Sequence, residues 1–309
     1  MICDSHCHFF SENFFRTLGR DVPAPSGVEG PDAAGDDAAA ALPAKLGWEP
    51  PGGDDTLADR WVAEIDRHSV DRVMLIASVP GDAASVAAAV ARHPRRFVGA
   101  FMLNPAAPDA AAQLEHAFGD QGLSTVCLFP AMHHVRLDDA AVNAVFAAAA
   151  RHRRAVFVHC GVLSVGVRKK LGLPSPFDIR LGHPLSVAAV AVRHPGVPVI
   201  LPHFGGGFFR EALMAADMAP NILLDTSSSN GWIRYHPGLT LPDVFARALD
   251  VVGPARLLFG TDSSFFPRGW QRGLYEAQRE TLERLNIDAA AQAAVFGGNF
   301  SRMFEASHP

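Results

Sequence analysis

The chain has 309 residues, 27 of them Lys or Arg and 32 Asp or Glu, for a formal net charge of -5; 49% are hydrophobic and 19% charged. This composition excludes global disorder, supplies a large core, and lacks the basic surplus that marks a nucleic-acid binder. Apolar runs are cut by charge, as at Arg151-His152-Arg153-Arg154, and the start Met-Ile-Cys-Asp-Ser-His-Cys-His carries neither the basic nor the apolar part of a secretory signal. No membrane partner and a cytoplasmic location are therefore expected.

In chain order, short β-branched or aromatic runs alternate with Ala-rich amphipathic stretches. Strands are predicted near Ile2–His8, Arg72–Ala77, Phe97–Leu103, Thr125–Phe129, Ala155–Cys160, Pro198–His203, Ile222–Asp225 and Leu257–Asp262. Helical stretches fill the gaps, from Leu57–His68 to Trp270–Leu285, with a terminal helix near Asp288–Phe296. From the second strand onward the strands recur about every 31 residues, the size of a βα unit. Eight units without a composition break predict one (β/α)8 barrel domain over residues 1–309. The four cysteines, Cys3, Cys7, Cys127 and Cys160, sit in or beside strand-like runs and read as reduced, buried thiols.

One segment breaks the repeat. Residues 9–56 form a long insertion after the first strand, rich in Ala, Gly, Asp and Pro at its centre. A loop that follows a strand's carboxyl end emerges where barrels place their active sites, so it reads as a lid carrying Phe10, Phe14, Phe15, Arg16 or Trp48 over a pocket, with a mobile surface insertion as the equal alternative for its centre. A second irregular stretch, Leu163 to Gly182, follows the fifth strand on the same face.

Asp4, His6 and His8 are spaced by two, so strand alternation predicts that all three share one face, with Cys3, Ser5 and Cys7 on the other. Two imidazoles one strand repeat apart suit a metal ion such as zinc. The fifth strand ends in His159, the sixth in His203 followed by Gly205-Gly206-Gly207, and the eighth in Asp262. Metal-capable side chains at the carboxyl ends of strands one, five, six and eight converge at one end of a barrel.

With these motifs the sequence resembles the amidohydrolase superfamily, in particular its branch of aminocarboxymuconate-semialdehyde decarboxylase-like hydrolases and decarboxylases. The resemblance rests on Asp4-Ser5-His6-Cys7-His8, His159, the His203 strand with its glycines, Phe259-Gly260-Thr261-Asp262, and Gly297-Gly298-Asn299-Phe300-Ser301-Arg302-Met303-Phe304. It implies one divalent metal, zinc with manganese as the alternative, held by His6, His8, His159 and Asp262, with His203 near the water or substrate. Binuclear members carry a bridging Lys or Glu at the fourth strand's end, where this chain has Leu128-Phe129-Pro130, so a single ion is expected. A homodimer is a further implication of the resemblance.

The mechanism expected from these positions is hydrolysis of an amide, ester or lactone of a small organic acid-like substrate. A metal-activated water attacks, Asp262 transfers its proton, and His203 polarises the carbonyl or stabilises the oxyanion. The alternative is nonoxidative decarboxylation of a small aromatic or unsaturated acid. A binding barrel without catalysis is the reading of another class, opposed by the competent residue at each site position. Arg210, Trp232, Arg234, Tyr235 and Arg268 are the substrate-binding candidates; Asp225 is a candidate for orienting the ligands, and Asp4 either orients a ligand histidine or is a structural buried carboxylate. His133 and His134 read as an exposed loop pair.

Overall fold

The computed structural model describes residues 1–21, 38–227, 231–264 and 269–305. The described residues hold nine strands: β1 (Cys3–Phe9), β2 (Arg72–Ala77), β3 (Phe97–Met102), β4 (Thr125–Leu128), β5 (Ala155–Val158), β6 (Val199–Leu201), β7 (Ile222–Asp225), β8 (Leu257–Leu258) and β9 (Ser263–Ser264). All are parallel, in the order β8-β7-β6-β5-β4-β3-β2-β1-β9. β8 and β9 are two pieces of one eighth strand: the first pairs with β7, the second with β1, and the Ser5 N–H donates to the Phe259 carbonyl between them at 2.9 Å. The sheet thus closes into the (β/α)8 barrel.

The strands read as nearly continuous apolar runs because both of their faces are covered. Inward residues Met74, Ile76, Val98, Met102, Cys127, Phe157 and Ile200 form the inner core, and Phe300 and Phe304 of the last helix (Asn299–Glu305) join them. Outward residues such as Val73, Leu75, Phe97, Val156 and Leu224 pack beneath the helices. All four cysteines are buried, free thiols. No described helix is long and apolar enough to cross a membrane.

One irregularity decides the orientation of the first strand. Asp4 pairs with Val73 and Cys7 with Leu75, so Ser5 and His6 together oppose Met74 in a β-bulge. The strict alternation expected for β1 is therefore wrong. Cys3 belongs to the inner core and Cys7 to the outer layer, while Asp4, in register with outward Val73, lies behind the sheet rather than beside His6 and His8.

The centre of the insertion after β1, residues 22–37, lies outside the described residues, and its two described ends are helical. These ends hold helices at Glu12–Gly19 and Ala38–Lys45, the first capped by Ser11, whose hydroxyl accepts the Phe14 N–H. Phe14, Phe15, Leu18, Leu42 and Trp48 pack with Val79 and with Val167, Leu171 and Leu173 of the loop after β5. The two loops thereby form a cap with a small core of its own.

Candidate metal centre

His8 and Asp262 face each other across the barrel's closing seam, with His8 Nε2 at 2.9 Å from Asp262 Oδ1. The other ring nitrogen of His8 lies 2.8 Å from the Ser78 hydroxyl, which gives its only proton to the Ile76 carbonyl at 3.0 Å. Ser78 therefore accepts from His8 Nδ1–H, and in the neutral ring Nε2 is left bare. His6 repeats the pattern. Its Nδ1 lies 3.3 Å from the Asp225 carboxylate, and its Nε2 3.6 Å from the same Asp262 oxygen. Ligand atoms of His6, His8 and Asp262 all lie within 4.8 Å of one another. Nε2 of His6 and Nε2 of His8 converge on one carboxylate oxygen; burial works against charge on His6 while the Asp225 and Asp262 carboxylates raise its pKa, so the set holds a cation, a proton or a metal ion, and with each ring anchored from behind the residues fit a divalent metal.

Asp225, at the end of β7, supports this arrangement. Its carboxylate accepts the hydroxyls of Ser5 at 3.1 Å and of Ser227, and the Ser227 N–H at 2.8 Å. Burial would raise its pKa, and the adjacent His6 and His203 hold it below the usual range. His203 Nδ1 lies 2.8 Å from Ser227 Oγ and 3.2 Å from the Ser227 carbonyl. A carbonyl only accepts, so the hydrogen sits on Nδ1 and Nε2 is bare. Burial pushes the His203 pKa down to about 4, keeping the ring neutral. His6, His203 and Asp225 also come close enough to hold an ion, but Ser227 already joins all three, and this group is the hydrogen-bonded support behind the first.

His159 is 4% exposed, its ring 5.4 Å from that of His203, and its Nδ1 is buried with no hydrogen-bond partner among the described residues. An orphaned imidazole nitrogen of this kind is costly unless a ligand completes it. Burial drives its pKa well down. The Asp262 carboxyl is held well below its usual range: burial opposes ionisation, and the His8, His6 and His203 rings outweigh it. His203 and Asp262 both occupy the left-handed backbone region, at φ 56° and 57°, a strained conformation that clusters at functional sites. Close backbone packing shapes this end of the barrel. A Cβ on Gly206 would stand 2.5 Å from the Cys160 carbonyl oxygen, so the loops after β5 and β6 meet only because glycine is there.

A cavity of about 870 Å³ opens above these residues. His6, His8, His159, His203 and Asp262 all line it, with Phe10, Phe14 and Trp48 of the cap and Phe129 and Phe177 as apolar walls. Arg234 and Tyr235 stand at its rim, the guanidinium over the phenol ring at 5.2 Å. Lys170 lies over Trp48 at 5.4 Å, and Arg168 is paired with Asp21.

The model of the amidohydrolase family matches residues 3–305. The chain belongs to the amidohydrolase family. Among solved structures it is similar to an uncharacterised TIM-barrel protein from Bordetella bronchiseptica, at 19% identity, TM-score 0.65, covering 100% of this chain and 99% of that one. It is also similar to 5-carboxyvanillate decarboxylase from Sphingomonas paucimobilis, at 18% identity, TM-score 0.65 and 98% of each chain. A third similar structure is an amidohydrolase from Burkholderia multivorans with bound zinc, at 17% identity, TM-score 0.64 and 99% of each chain.

Not every residue expected in this amidohydrolase's pocket is found there. Arg210 points to solvent, 82% exposed, and pairs with its neighbour Glu211, because it starts a helix on the outer ring. Trp232 is fully buried and packs on Phe209 and His236 in the outer layer. Asp4 does not orient an imidazole. From behind the sheet its carboxylate accepts the backbone N–H groups of His6 at 2.9 Å and Thr261 at 3.1 Å. Arg16 pairs with Glu12 outside the cavity, and Phe15 packs behind the lining residues. His133 is half-buried rather than exposed. Arg268 lies outside the described residues. The anchors Ser78 and Ser227 have no sequence signal of their own, since a serine at a strand end reads as an ordinary turn residue.

Proposed function

We propose that this amidohydrolase is a mononuclear metal-dependent hydrolase of an ester, lactone or amide whose carbonyl sits beside an apolar, acid-bearing body. His6, His8, His159 and Asp262 would hold the ion, zinc or alternatively manganese. When bound, a divalent ion supplies Lewis acidity, lowering the pKa of a coordinated water from about 15.7 toward 7 and polarising a carbonyl oxygen.

The observation that carries the hydrolase reading is the bare Nε2 of His203, fixed by the commitment of Nδ1 to the Ser227 carbonyl. Hydrolysis needs groups that take a proton from water, and His203 Nε2 and the ionised Asp262 both do so. As water oxygen bonds to the carbonyl carbon, its proton passes to Asp262 or His203, which then returns it to the departing alkoxide or amine. His203 so arranged accepts rather than donates, so oxyanion stabilisation is not assigned to it. Phe10, Phe14 and Phe129 exclude water and hold the apolar body, while Arg234 and Lys170, which have no carboxylate partner among the described residues, meet its carboxylate at the rim.

Nonoxidative decarboxylation is the second reading, favoured by the structural likeness to 5-carboxyvanillate decarboxylase. It requires an acid that protonates the carbon from which carbon dioxide leaves. Turnover of a panel of aryl lactones, esters and carboxylic acids in ¹⁸O-water separates the two. Hydrolysis places one ¹⁸O in the acid product, whereas carbon dioxide release with no label in the organic product overturns the hydrolase reading.

A further inference from the structure

The strained turn that presents Asp262 is held from outside the cavity by a residue that touches none of the candidate ligand side chains. A non-glycine residue stays at φ 57° only where its surroundings over-determine it. Gln271 does this. Its side-chain Nε2 donates to the carbonyl oxygens of Thr261 at 3.1 Å and Asp262 at 3.3 Å, and its backbone N–H donates to Ser263 Oγ at 2.9 Å. One residue thus engages all three members of the Thr261–Asp262–Ser263 turn, using both hydrogens of one amide on two adjacent carbonyls.

Gln271 is itself fixed. The preceding Trp270 donates its backbone N–H to Glu64 Oε1 at 2.9 Å and its indole N–H to Asp4 Oδ2 at 2.8 Å. Asp4 in turn accepts the Thr261 N–H and the Thr261 hydroxyl, so the turn is gripped from two sides by groups that are tied to each other. Gly269 completes the seat, because a Cβ there would stand 2.5 Å from Glu64 Oε1.

We propose that Gln271 is a positioning residue for the metal centre: its amide clamps the Thr261–Asp262–Ser263 turn and so aims the Asp262 carboxylate at His6 and His8. The inference rests on the reading of Asp262 as a ligand. It predicts that losing the clamp loosens the geometry of the centre without removing any ligand, at a cost of about 10- to 100-fold in metal affinity.

The test uses the full chain, stripped of metal and titrated with zinc against a chromophoric chelator, and then loaded with cobalt(II) to read the visible d–d bands. Gln271→Met keeps the length and loses both donors, and Gln271→Glu replaces them with an oxygen that repels the two carbonyls. Weaker zinc binding in both, with altered cobalt bands in Gln271→Met, is the expected result. The cobalt spectrum reads only folded, loaded protein, so a drop in stability cannot imitate it. Wild-type protein that binds zinc, beside a Gln271→Met variant with equal affinity and an identical cobalt spectrum, overturns the clamp and leaves the metal reading standing. Wild-type protein that binds neither ion overturns both.

Discussion

His8 Nε2 points at Asp262 Oδ1 from 2.9 Å while the opposite ring nitrogen is tied to Ser78, so the fold holds a basic nitrogen and a carboxylate oxygen face to face. Such a pair repels unless a proton or a metal ion lies between, and the protein builds it deliberately, through a serine whose own proton is already spent on the Ile76 carbonyl. Ser78→Ala removes the anchor and frees the ring to turn. Zinc affinity, measured against a chelator, is expected to fall about 10- to 100-fold with the ligand set intact. Unchanged affinity would mean that the ring is held by packing alone.

Removing the proposed ligands is a stronger perturbation. Elemental analysis of the purified protein should find about one transition metal per chain, and an Asp262→Ala, His159→Ala double variant should find almost none. A double variant that retains the metal would exclude this centre as its site.

Gly260 tests the support behind His6 and His203. A Cβ at this position would stand 2.5 Å from Asp225 Oδ2, and Asp225 cannot retreat because Ser5, Ser227 and His6 all hold it. Gly260→Ala is expected to cost about 1–3 kcal/mol of stability as an overpacking change, read from denaturant unfolding. A midpoint equal to wild type would show that the carboxylate is free to move.

Arg234 stacks on Tyr235 at the cavity rim and is placed to meet a substrate carboxylate. For an anionic substrate, Arg234→Ala should raise KM about tenfold, as expected for loss of a hydrogen bond to a charged group at an exposed site, with kcat nearly unchanged. The uncharged methyl ester of the same substrate should show no such change. Equal effects on both would remove the carboxylate from the argument.

His133 makes stability depend on pH in a known direction. Burial, with His134 adding to it, pushes its pKa down to about 4. Between the unfolded value near 6.5 and 4 the unfolded chain binds a proton that the folded chain does not. Its contribution is therefore present above pH 6.5 and lost as pH falls toward 4. Urea unfolding at pH 7 and pH 5 should show wild type losing more than His133→Gln, by about 1–2 kcal/mol. Parallel losses would assign the pH dependence to other groups.

The barrel was legible because its signal is local and repeated: eight apolar strands alternating with amphipathic helices. The convergence of His6, His8, His159, His203 and Asp262 followed from it, since strand ends in this architecture share one face. The helix Glu12–Gly19 lies inside the stretch expected as an insertion loop, although Ser11 as a cap and the apolar spacing of Phe14, Phe15 and Leu18 are sequence signals for it. The bulge at Ser5 and His6 left no trace in residue type, and with it went the correct face for Asp4 and Cys3.

Taken alone, the sequence determines which side chains exist at the strand ends and that a closed α/β barrel brings those ends together. Periodicity and the sheet's parallel connectivity are enough for that. Only the tertiary structure decides which nitrogen of each imidazole faces the centre, that Asp4 works from behind the sheet, that Arg210 and Trp232 stand outside the cavity, and that Gln271 grips the turn of Asp262. These are contacts between residues up to 266 positions apart, as between Asp4 and Trp270. No local pattern encodes them, because their geometry is set by a bulge, two left-handed turns and the closure of the eighth strand.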